Sequence, residues 1–174
     1  MIICLVGLKG SGKTTIANYC SEYYGFKCIA IADPLKELVK NIFTLTDEQV
    51  HDHLQKEELD IRWNRTPRQL LQWFGTDVMR NNFPTYWTDQ LIEKIKNSDG
   101  NILISDIRFE AEVDAIKTIF QDVYIWKIIR CNDVIDYHSS EDYAKCANAD
   151  VTLNNDGTIT SLHHLIDVEL LRKI

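Results

Sequence analysis

The sequence has no excess of positive charge and no closely spaced cysteine pair. Its formal net charge is -7 at pH 7, whereas proteins that coat nucleic acid polymers or anionic membranes favour a basic surface. Its five cysteines are an odd set without a C-x-x-C spacing, and several lie in apolar runs, as reduced core cysteines do. We therefore expect a cytoplasmic protein that binds neither nucleic acid polymers nor membranes and that holds anions only at a local site.

The sequence also lacks a long apolar segment, an internal repeat, a low-complexity tract and a flexible linker. It opens on an apolar strand pattern without a charged leader, so we expect neither a signal peptide nor a membrane span. A chain of 174 residues buries about two-thirds of its unfolded surface on folding. We expect one domain over residues 1–174 that needs no disulfides.

The most specific motif is Gly7-Leu8-Lys9-Gly10-Ser11-Gly12-Lys13-Thr14, which fits the phosphate-loop pattern G-x-x-x-x-G-K-[ST] at every defined position. It stands between a strand pattern and a helical pattern, the context that such a loop requires. The alternative is a tight glycine turn with an exposed lysine. The motif predicts Mg²⁺ on the Thr14 hydroxyl and a nucleoside triphosphate site, which we assign to ATP, on these residues: Gly10, Ser11, Gly12, Lys13, Thr14 and Thr15.

Apolar strand patterns recur at residues 26–32, 101–106, 123–129 and 150–153, and helical patterns alternate with them. Near-continuous apolar strands between amphipathic helices are typical of a parallel sheet covered on both faces. With the strand before the loop, they predict an α/β fold with a five-stranded parallel sheet.

The interval 34–98 is predicted to be helical. Asp33 is a predicted N-cap before Pro34, capping boxes are predicted at Thr46 and Thr66, and Gly75 is a predicted helix end. One helical face is predicted from Leu35, Leu38, Val39, Ile42 and Phe43. The interval is far longer than a simple crossover, so we expect an inserted helical lobe that leans over the site.

Polar residues stand where three predicted strands end: Asp33, then Asp106 with Arg108, then Arg130. Ligands bind at this edge of open α/β sheets. We expect Asp106 to hold Mg²⁺ through water and Arg108 to hold a phosphate. The alternatives are an N-cap for Asp33 and a surface ion pair for Asp106 and Arg108.

Arginines and aromatics concentrate in the helical interval. Arg68 stands in the first turn of a predicted helix, where an arginine is unfavourable unless an anion is bound, and Lys36 is placed similarly. For Arg62 and Arg65, the alternative to phosphate binding is a charged helix face exposed to solvent. We expect one or two of the aromatics to contact ligand and the others to be core: Trp63, Trp73, Tyr86 and Trp87.

Together these stretches resemble the phage and large-virus deoxynucleoside monophosphate kinases, with a more distant likeness to animal-type phosphomevalonate kinase. The loop alone indicates only the use of a nucleoside triphosphate. The Asp-Pro-Leu-Lys stretch at 33–36 and the Thr-Pro-Arg-Gln-Leu-Leu stretch at 66–71 point to the family, and the matching stretches span most of the chain: residues 7–14, 32–36, 66–72, 75–77, 105–109 and 138–141.

The resemblance implies a P-loop kinase fold, transfer of the ATP γ-phosphoryl group to a deoxynucleoside 5'-monophosphate, and a homodimer, in the host cytoplasm if the chain is viral. Residues 131–148 stand where small kinases of this fold carry a lid, but their only lysine or arginine is Lys145. Together with the charges described above, the resemblance assigns the acceptor to these residues: Asp33, Lys36, Arg65, Arg68, Gln72, Trp73, Arg108, His138 and Glu141.

A monophosphate oxygen is already ionised near neutral pH, so positioning and charge neutralisation suffice for catalysis. We assign Arg108 and Arg68 to the acceptor phosphate, Arg130 to the ATP side and Asp106 to magnesium or the acceptor. With Lys13, the predicted catalytic set is Lys13, Arg108, Asp106 and Arg130. Arg108 or Arg130 would have to replace the arginines that a lid supplies.

Other functions fit parts of the sequence. A regulatory GTPase is disfavoured because no N-K-x-D stretch is present for guanine recognition. A P-loop kinase for phosphomevalonate or dephospho-coenzyme A and a nucleotide-binding module without catalysis remain open. The sequence does not identify the acceptor base or sugar, because base selectivity depends on a few hydrogen bonds set by loop geometry.

Overall fold

The computed structural model describes residues 1–131 and 142–172. The chain divides into two compact units, one made of Met1–Ala30 with Leu91–Ile174 and the other of Ile31–Gln90. Each unit has its own cluster of buried apolar side chains. Within the described ranges, no helix is both long and apolar enough to cross a bilayer.

The first unit is built on a parallel sheet of five described strands. They are β1 Ile2–Val6, β2 Lys27–Ile29, β3 Ile102–Ile104, β4 Val123–Ile129 and β5 Val151–Asn154, in the spatial order β2-β3-β1-β4-β5. Every residue of the central strand β1 is buried, as expected for a parallel strand with both neighbours in place. The predicted five-stranded parallel sheet is therefore confirmed.

Helices α1 Lys13–Tyr24, α6 Glu110–Ile119, α7 Asp142–Cys146 and α8 Ile159–Leu171 also belong to this unit. Its core joins Leu5 of β1 and Trp126 of β4 to Ile16 of α1 and Ile166 of α8, all fully buried. A polar link accompanies this packing, because the hydroxyl groups of two α1 tyrosines donate to Asp167 Oδ1 at 2.9 and 2.7 Å.

The second unit consists of α2 Ala32–Phe43, α3 Asp47–His51, a 3-10 turn Gln55–Glu57, α4 Pro67–Gln72 and a π-helix Trp73–Arg80. Helix α5, Tyr86–Lys96, begins in this unit and ends in the first. Both predicted capping boxes are present, with Thr46 and Thr66 each accepting an amide hydrogen bond of 3.2 Å. Such caps stabilise a helix by about 1 kcal/mol, which matters for helices as short as α3 and α4.

The core of the second unit is small. Val39 of α2 and Leu70 of α4 are among its buried residues, and Leu35 and Phe43 pack against them. Leu38 and Ile42 were expected on the same face but are 38% and 51% exposed. The apolar face of α2 that packs in the core follows positions 35, 39 and 43, and Leu38 and Ile42 lie outside it.

The start of α2 differs from the predicted boundary. The second strand ends at Ile29 instead of residue 32, and α2 begins at Ala32 after Ile31, which is already in the right-handed helical conformation. Asp33 is therefore in the first turn and is not the N-cap. Pro34 gives no unique position for the boundary, because a proline is tolerated throughout a first turn whose N–H groups have no helical acceptor.

Gly75 does not end a helix, as was predicted, but lies within the π-helix. A Cβ at this position would lie 2.5 Å from Cδ2 of Leu35. The Gly75 carbonyl oxygen accepts a hydrogen bond of 2.9 Å from the buried indole Nε1 of Trp87. The glycine therefore allows close packing inside the second unit, a role that its position in the sequence does not distinguish from a helix end.

A buried carboxylate organises the turn between α3 and α4. Asp60 is 7% exposed, and Arg62 Nε and Nη2 donate to its two oxygens at 2.9 and 2.5 Å. Gln49 Nε2 donates to Asp60 Oδ2 at 3.3 Å, and Arg62 Nη1 donates to the carbonyl oxygen of Thr44 at 3.1 Å. The hydrogen bonds from Arg62 lower the pKa of Asp60 to about 2.

This network makes a pH-dependent contribution to stability. Because the folded pKa of Asp60 lies below the ordinary value of 3.8, its contribution is present above about pH 4 and is lost as the pH falls towards 2. We expect Asp60→Asn to reduce the free energy of unfolding by roughly 1–3 kcal/mol at pH 7 and by much less at pH 2.5.

Urea unfolding followed by tryptophan emission at both pH values measures this difference. Glu58→Gln, at an exposed neighbouring position, serves as the matched control. A deficit for Asp60→Asn that is the same at pH 7 and pH 2.5 would contradict the assigned role of the charge.

Candidate active site

The phosphate loop joins β1 to α1, and its glycines meet two steric demands. A Cβ on Gly7 would lie 2.6 Å from Ser11 Oγ and 2.7 Å from the carbonyl oxygen of Ile128, so this loop packs against β4 too closely for a side chain. Gly12, the residue before α1, has a φ of 109°, which side chains disfavour. The strand, loop and helix order predicted from the motif is present.

Lys13 is the first residue of α1, and its ammonium group lies against the loop that precedes it. Nζ donates to the carbonyl oxygens of Gly7 and Leu8 at 2.6 and 2.8 Å. The next two residues, Thr14 and Thr15, are exposed and half-buried. This helix start combines an ammonium group, backbone N–H groups and a hydroxyl, which fits a polyphosphate with Mg²⁺.

Three predicted site residues follow strands that flank β1. Arg130 comes directly after β4, and its Nη1 donates to the carbonyl oxygen of Gly10 at 3.4 Å. Asp106 and Arg108 come shortly after β3. Because β3 and β4 both pair with β1 in parallel, these connections leave the sheet at the same edge as the phosphate loop. The structure thus brings Arg130 to the loop and places Asp106 and Arg108 in the neighbouring connection.

A buried carboxylate that the sequence did not reveal holds the turn containing Arg108. Glu112 is fully buried, and its Oε2 accepts the backbone N–H groups of Arg108 and Phe109 at 2.9 and 3.1 Å. A glutamate three residues into a helix is half of a capping box. The usual Ser or Thr partner is replaced by Phe109, so the sequence signal was incomplete.

Asn155 is a second residue that the sequence did not reveal, since Asn154-Asn155-Asp156-Gly157 was interpreted only as a turn. Asn155 is 9% exposed and directly follows β5. Its Nδ2 donates to the carbonyl oxygen of Ser11 at 2.8 Å. A residue after the last strand therefore contacts the phosphate loop near the start of the chain.

The arginines of the second unit have different surroundings. Arg62 is bound to Asp60, as described above, so its main role is structural. Arg68 is in the first turn of α4, and its Nε donates to Glu57 Oε1 at 2.5 Å. The sequence predicted that an arginine in this first turn needs a nearby anion, and the Glu57 carboxylate supplies part of that negative charge. Arg65 is exposed and makes no side-chain hydrogen bond with other described residues.

Other predicted acceptor residues also belong to the second unit. Asp33 and Lys36 form an i, i+3 pair with a distance of 3.4 Å between Nζ and Oδ1. Gln72 is the last residue of α4, and Trp73, which begins the π-helix, is 41% exposed. Trp87 is 3% exposed and belongs to the interior. Of the aromatics, Trp87 therefore follows the core interpretation, whereas Trp73 keeps accessible ring surface.

His138 and Glu141 lie outside the described residues, as does most of the proposed lid at 131–148. Before that gap, the N–H and Sγ of Cys131 donate to the two carboxylate oxygens of Asp156 at 2.6 and 3.2 Å. These hydrogen bonds lower the pKa of Asp156. They connect the end of β4 to the turn after β5.

One group of metal-binding side chain types occurs on the described surface. It consists of Glu37, Asp47 and His51, all exposed, with one potential ligand atom from each within 4.8 Å of the others. Lys40 Nζ already bonds both carboxylates, at 2.9 and 2.8 Å. Because this ammonium group pairs with both carboxylates and offsets part of their charge, the cluster is explained as a surface ion-pair network.

Comparison with solved structures supports the fold. The chain is similar to shikimate kinase from Aquifex aeolicus, with a TM-score of 0.52 and 12% identity, covering 99% of this chain and 98% of that one. It is also similar to TT1252 from Thermus thermophilus, with a TM-score of 0.54 and 16% identity over 99% and 97% of the two chains. For dephospho-CoA kinase from Campylobacter jejuni the TM-score is 0.52 and the identity 12%, over 99% and 96%. At these identities the similarity establishes the P-loop kinase fold alone.

Sequence comparison identifies the family. A protein from Acanthamoeba polyphaga mimivirus, provisionally named deoxynucleotide monophosphate kinase, is 36% identical over 186 aligned positions, covering 95% of this chain and 94% of that protein. The family model of deoxynucleotide monophosphate kinase matches residues 44–166, which include α3, α4, Asp106, Arg108, Arg130 and Asn155. The chain therefore belongs to the deoxynucleotide monophosphate kinase family.

Proposed function

We propose that this kinase transfers the γ-phosphoryl group of ATP to the phosphate of a deoxynucleoside 5'-monophosphate and so forms the diphosphate. The observation that carries this proposal is the phosphate loop itself, with the Lys13 ammonium group 2.6 Å from the Gly7 carbonyl oxygen at the start of α1. Family membership gives the class of acceptor. The loop gives the class of donor.

The chemistry needs charge neutralisation more than proton transfer. The acceptor oxygen is ionised near neutral pH, so no residue has to act as a strong base. Lys13 neutralises charge on the transferring group, and Arg130, next to Gly10, serves the ATP side. Thr14 would hold Mg²⁺ through its hydroxyl and Asp106 through a water, and the ion would supply further neutralisation of phosphate charge.

The assignment of the acceptor phosphate to Arg108 and Arg68 stays a prediction from the sequence. Further residues proposed for the acceptor belong to the second unit, Ile31–Gln90. Arg68 is the leading candidate there, because Glu57 engages its Nε and no other described residue bonds its guanidinium group. The two terminal NH2 groups form a pair of parallel donors that can bind two phosphate oxygens bidentately. Arg65, Lys36, Gln72 and Trp73 complete the proposed acceptor residues of this unit, together with Asp33.

All five cysteines are free, with Cys4 and Cys20 buried and the other three exposed. Reduced thiols fit a reducing compartment, so the cytoplasm stays our prediction for where the reaction occurs. A homodimer, which the family resemblance implies, also stays a prediction.

Turnover with ATP, Mg²⁺ and a panel of phosphorylated acceptors tests the proposed function. We expect ADP formation with at least one deoxynucleoside monophosphate and none with phosphomevalonate or dephospho-coenzyme A. Lys13→Ala should lower turnover by on the order of a hundredfold or more, because it removes a preorganised positive charge. Lys9→Ala changes a loop lysine at an undefined motif position and is the matched control. Turnover only with one of the last two acceptors would contradict the proposal.

Arg68→Ala should raise KM for the monophosphate by roughly ten- to a hundredfold while leaving KM for ATP nearly unchanged. A charge-assisted contact has a magnitude of about 1.5 to 3 kcal/mol, which corresponds to that range. Steady-state kinetics with each substrate varied in turn provide the measurement.

Glu57→Ala separates binding from packing, because it breaks the Arg68 ion pair and keeps the guanidinium group. It should affect the monophosphate KM much less than Arg68→Ala does. If the two variants behaved alike, Arg68 would be a structural residue. If the ATP KM rose instead, Arg68 would belong to the donor side.

A further inference from the structure

Asn155 is hydrogen-bonded to the phosphate loop and to the last residue of β4. Its side-chain Nδ2 donates to the carbonyl oxygen of Ser11 at 2.8 Å, and its backbone N–H donates to the carbonyl oxygen of Ile129 at 2.8 Å. Both Asn155 and Ser11 are buried, at 9% and 0% exposure. A buried amide donor that loses its acceptor is costly, so this contact fixes the position of the loop backbone.

The phosphate loop is shaped to receive this amide group. A Cβ on Gly12 would lie 2.4 Å from Asn155 Nδ2. Asn155 therefore occupies the space in which a side chain at position 12 would lie. The φ of 109° at Gly12 disfavours a side chain there as well. Gly12 is a defined position of the phosphate-loop pattern, and here it faces a side chain 143 positions further along the chain.

The contact sets the orientation of one peptide group in the loop. In a trans peptide the carbonyl of one residue and the N–H of the next point in opposite directions. When Asn155 holds the Ser11 carbonyl, the Gly12 N–H is directed to the opposite side of that peptide plane. Backbone N–H groups of such a loop are the donors that bind the nucleotide phosphates.

Arg130 is held by the same turn. Its preceding residue, Ile129, accepts the Asn155 N–H at 2.8 Å. Its following residue, Cys131, donates its N–H to Asp156 Oδ1 at 2.6 Å. The turn after β5 therefore fixes the backbone on both sides of the arginine that contacts Gly10.

We propose that Asn155 is a positioning residue for the donor nucleotide: its side-chain amide orients the Ser11–Gly12 peptide so that the Gly12 N–H binds a phosphate of ATP or ADP. This inference rests on the proposed use of a nucleotide by the phosphate loop. It assigns a function to a residue whose sequence context indicates only a turn.

Asn155→Asp is the sharpest test, since it keeps the shape of the side chain and replaces the amide donor with an acceptor facing the Ser11 carbonyl. Asn154→Asp introduces the same charge one position earlier, at an exposed residue, and is the matched control. We expect Asn155→Asp to weaken the binding of Mg·ADP, measured by calorimetry, by roughly tenfold or more, and Asn154→Asp to change it by less than about threefold.

Steady-state kinetics give the readout that a merely structural role would not move. Asn155→Asp should raise KM for ATP by a similar factor and leave KM for the monophosphate nearly unchanged. A loss of folded protein alone would lower the apparent kcat and change neither KM. Asn155→Ala, which removes the donor without adding a charge, should show the same pattern if Asn155→Asp does not fold.

The results separate this inference from the proposed function. If the folded Asn155 variants bound Mg·ADP with the same affinity as the wild-type chain, the positioning role would be overturned and the kinase assignment would stay intact. An equal loss in Asn154→Asp would also overturn it, because added charge would then be the cause. Absence of Mg·ADP binding by the wild-type chain would overturn the nucleotide site itself.

Discussion

The parallel pairing of β1 with both β3 and β4 is the constraint on which the site depends. It makes the phosphate loop, the connection with Asp106 and Arg108, and Arg130 leave the sheet at one edge. Hydrogen bonds from Arg130, after β4, and from Asn155, after β5, then join the ends of these two strands to the loop. Two cationic side chains, Lys13 and Arg130, thereby contact the loop before α1 in a chain whose formal net charge is -7.

Much of this arrangement was predictable because its signals are local. The phosphate loop, the order of strands and helices and the two capping boxes each depend on residues close in sequence, and all are present. The errors occurred where one signal serves two purposes. Pro34 fits any position of a first turn, and Gly75 fits either a helix end or a close contact, which in the structure is with Leu35.

The roles of Glu112, Asn155 and the individual arginines could not be predicted, for a different physical reason. Asn155 and Ser11 are separated by 144 positions, and no local pattern encodes a contact of that kind. Arg62 and Arg68 look alike in the sequence, yet Arg62 donates to Asp60 through Nε and Nη2 and to Thr44 through Nη1, whereas Arg68 donates to Glu57 only through Nε. Such distinctions depend on burial and partner geometry, which require the folded chain.

The central claim is that the donor nucleotide uses the phosphate loop and the acceptor uses residues of the second unit. Amide-resolved NMR of the ¹⁵N-labelled chain tests it directly, with Mg·ADP alone and each of the four common deoxynucleoside monophosphates alone. The account predicts that Mg·ADP shifts the resonances of residues 7–15, and that the accepted monophosphate shifts those of 62–73 with little effect on the loop. Monophosphates that perturb only residues 7–15 would contradict the account, because donor and acceptor would then share one site.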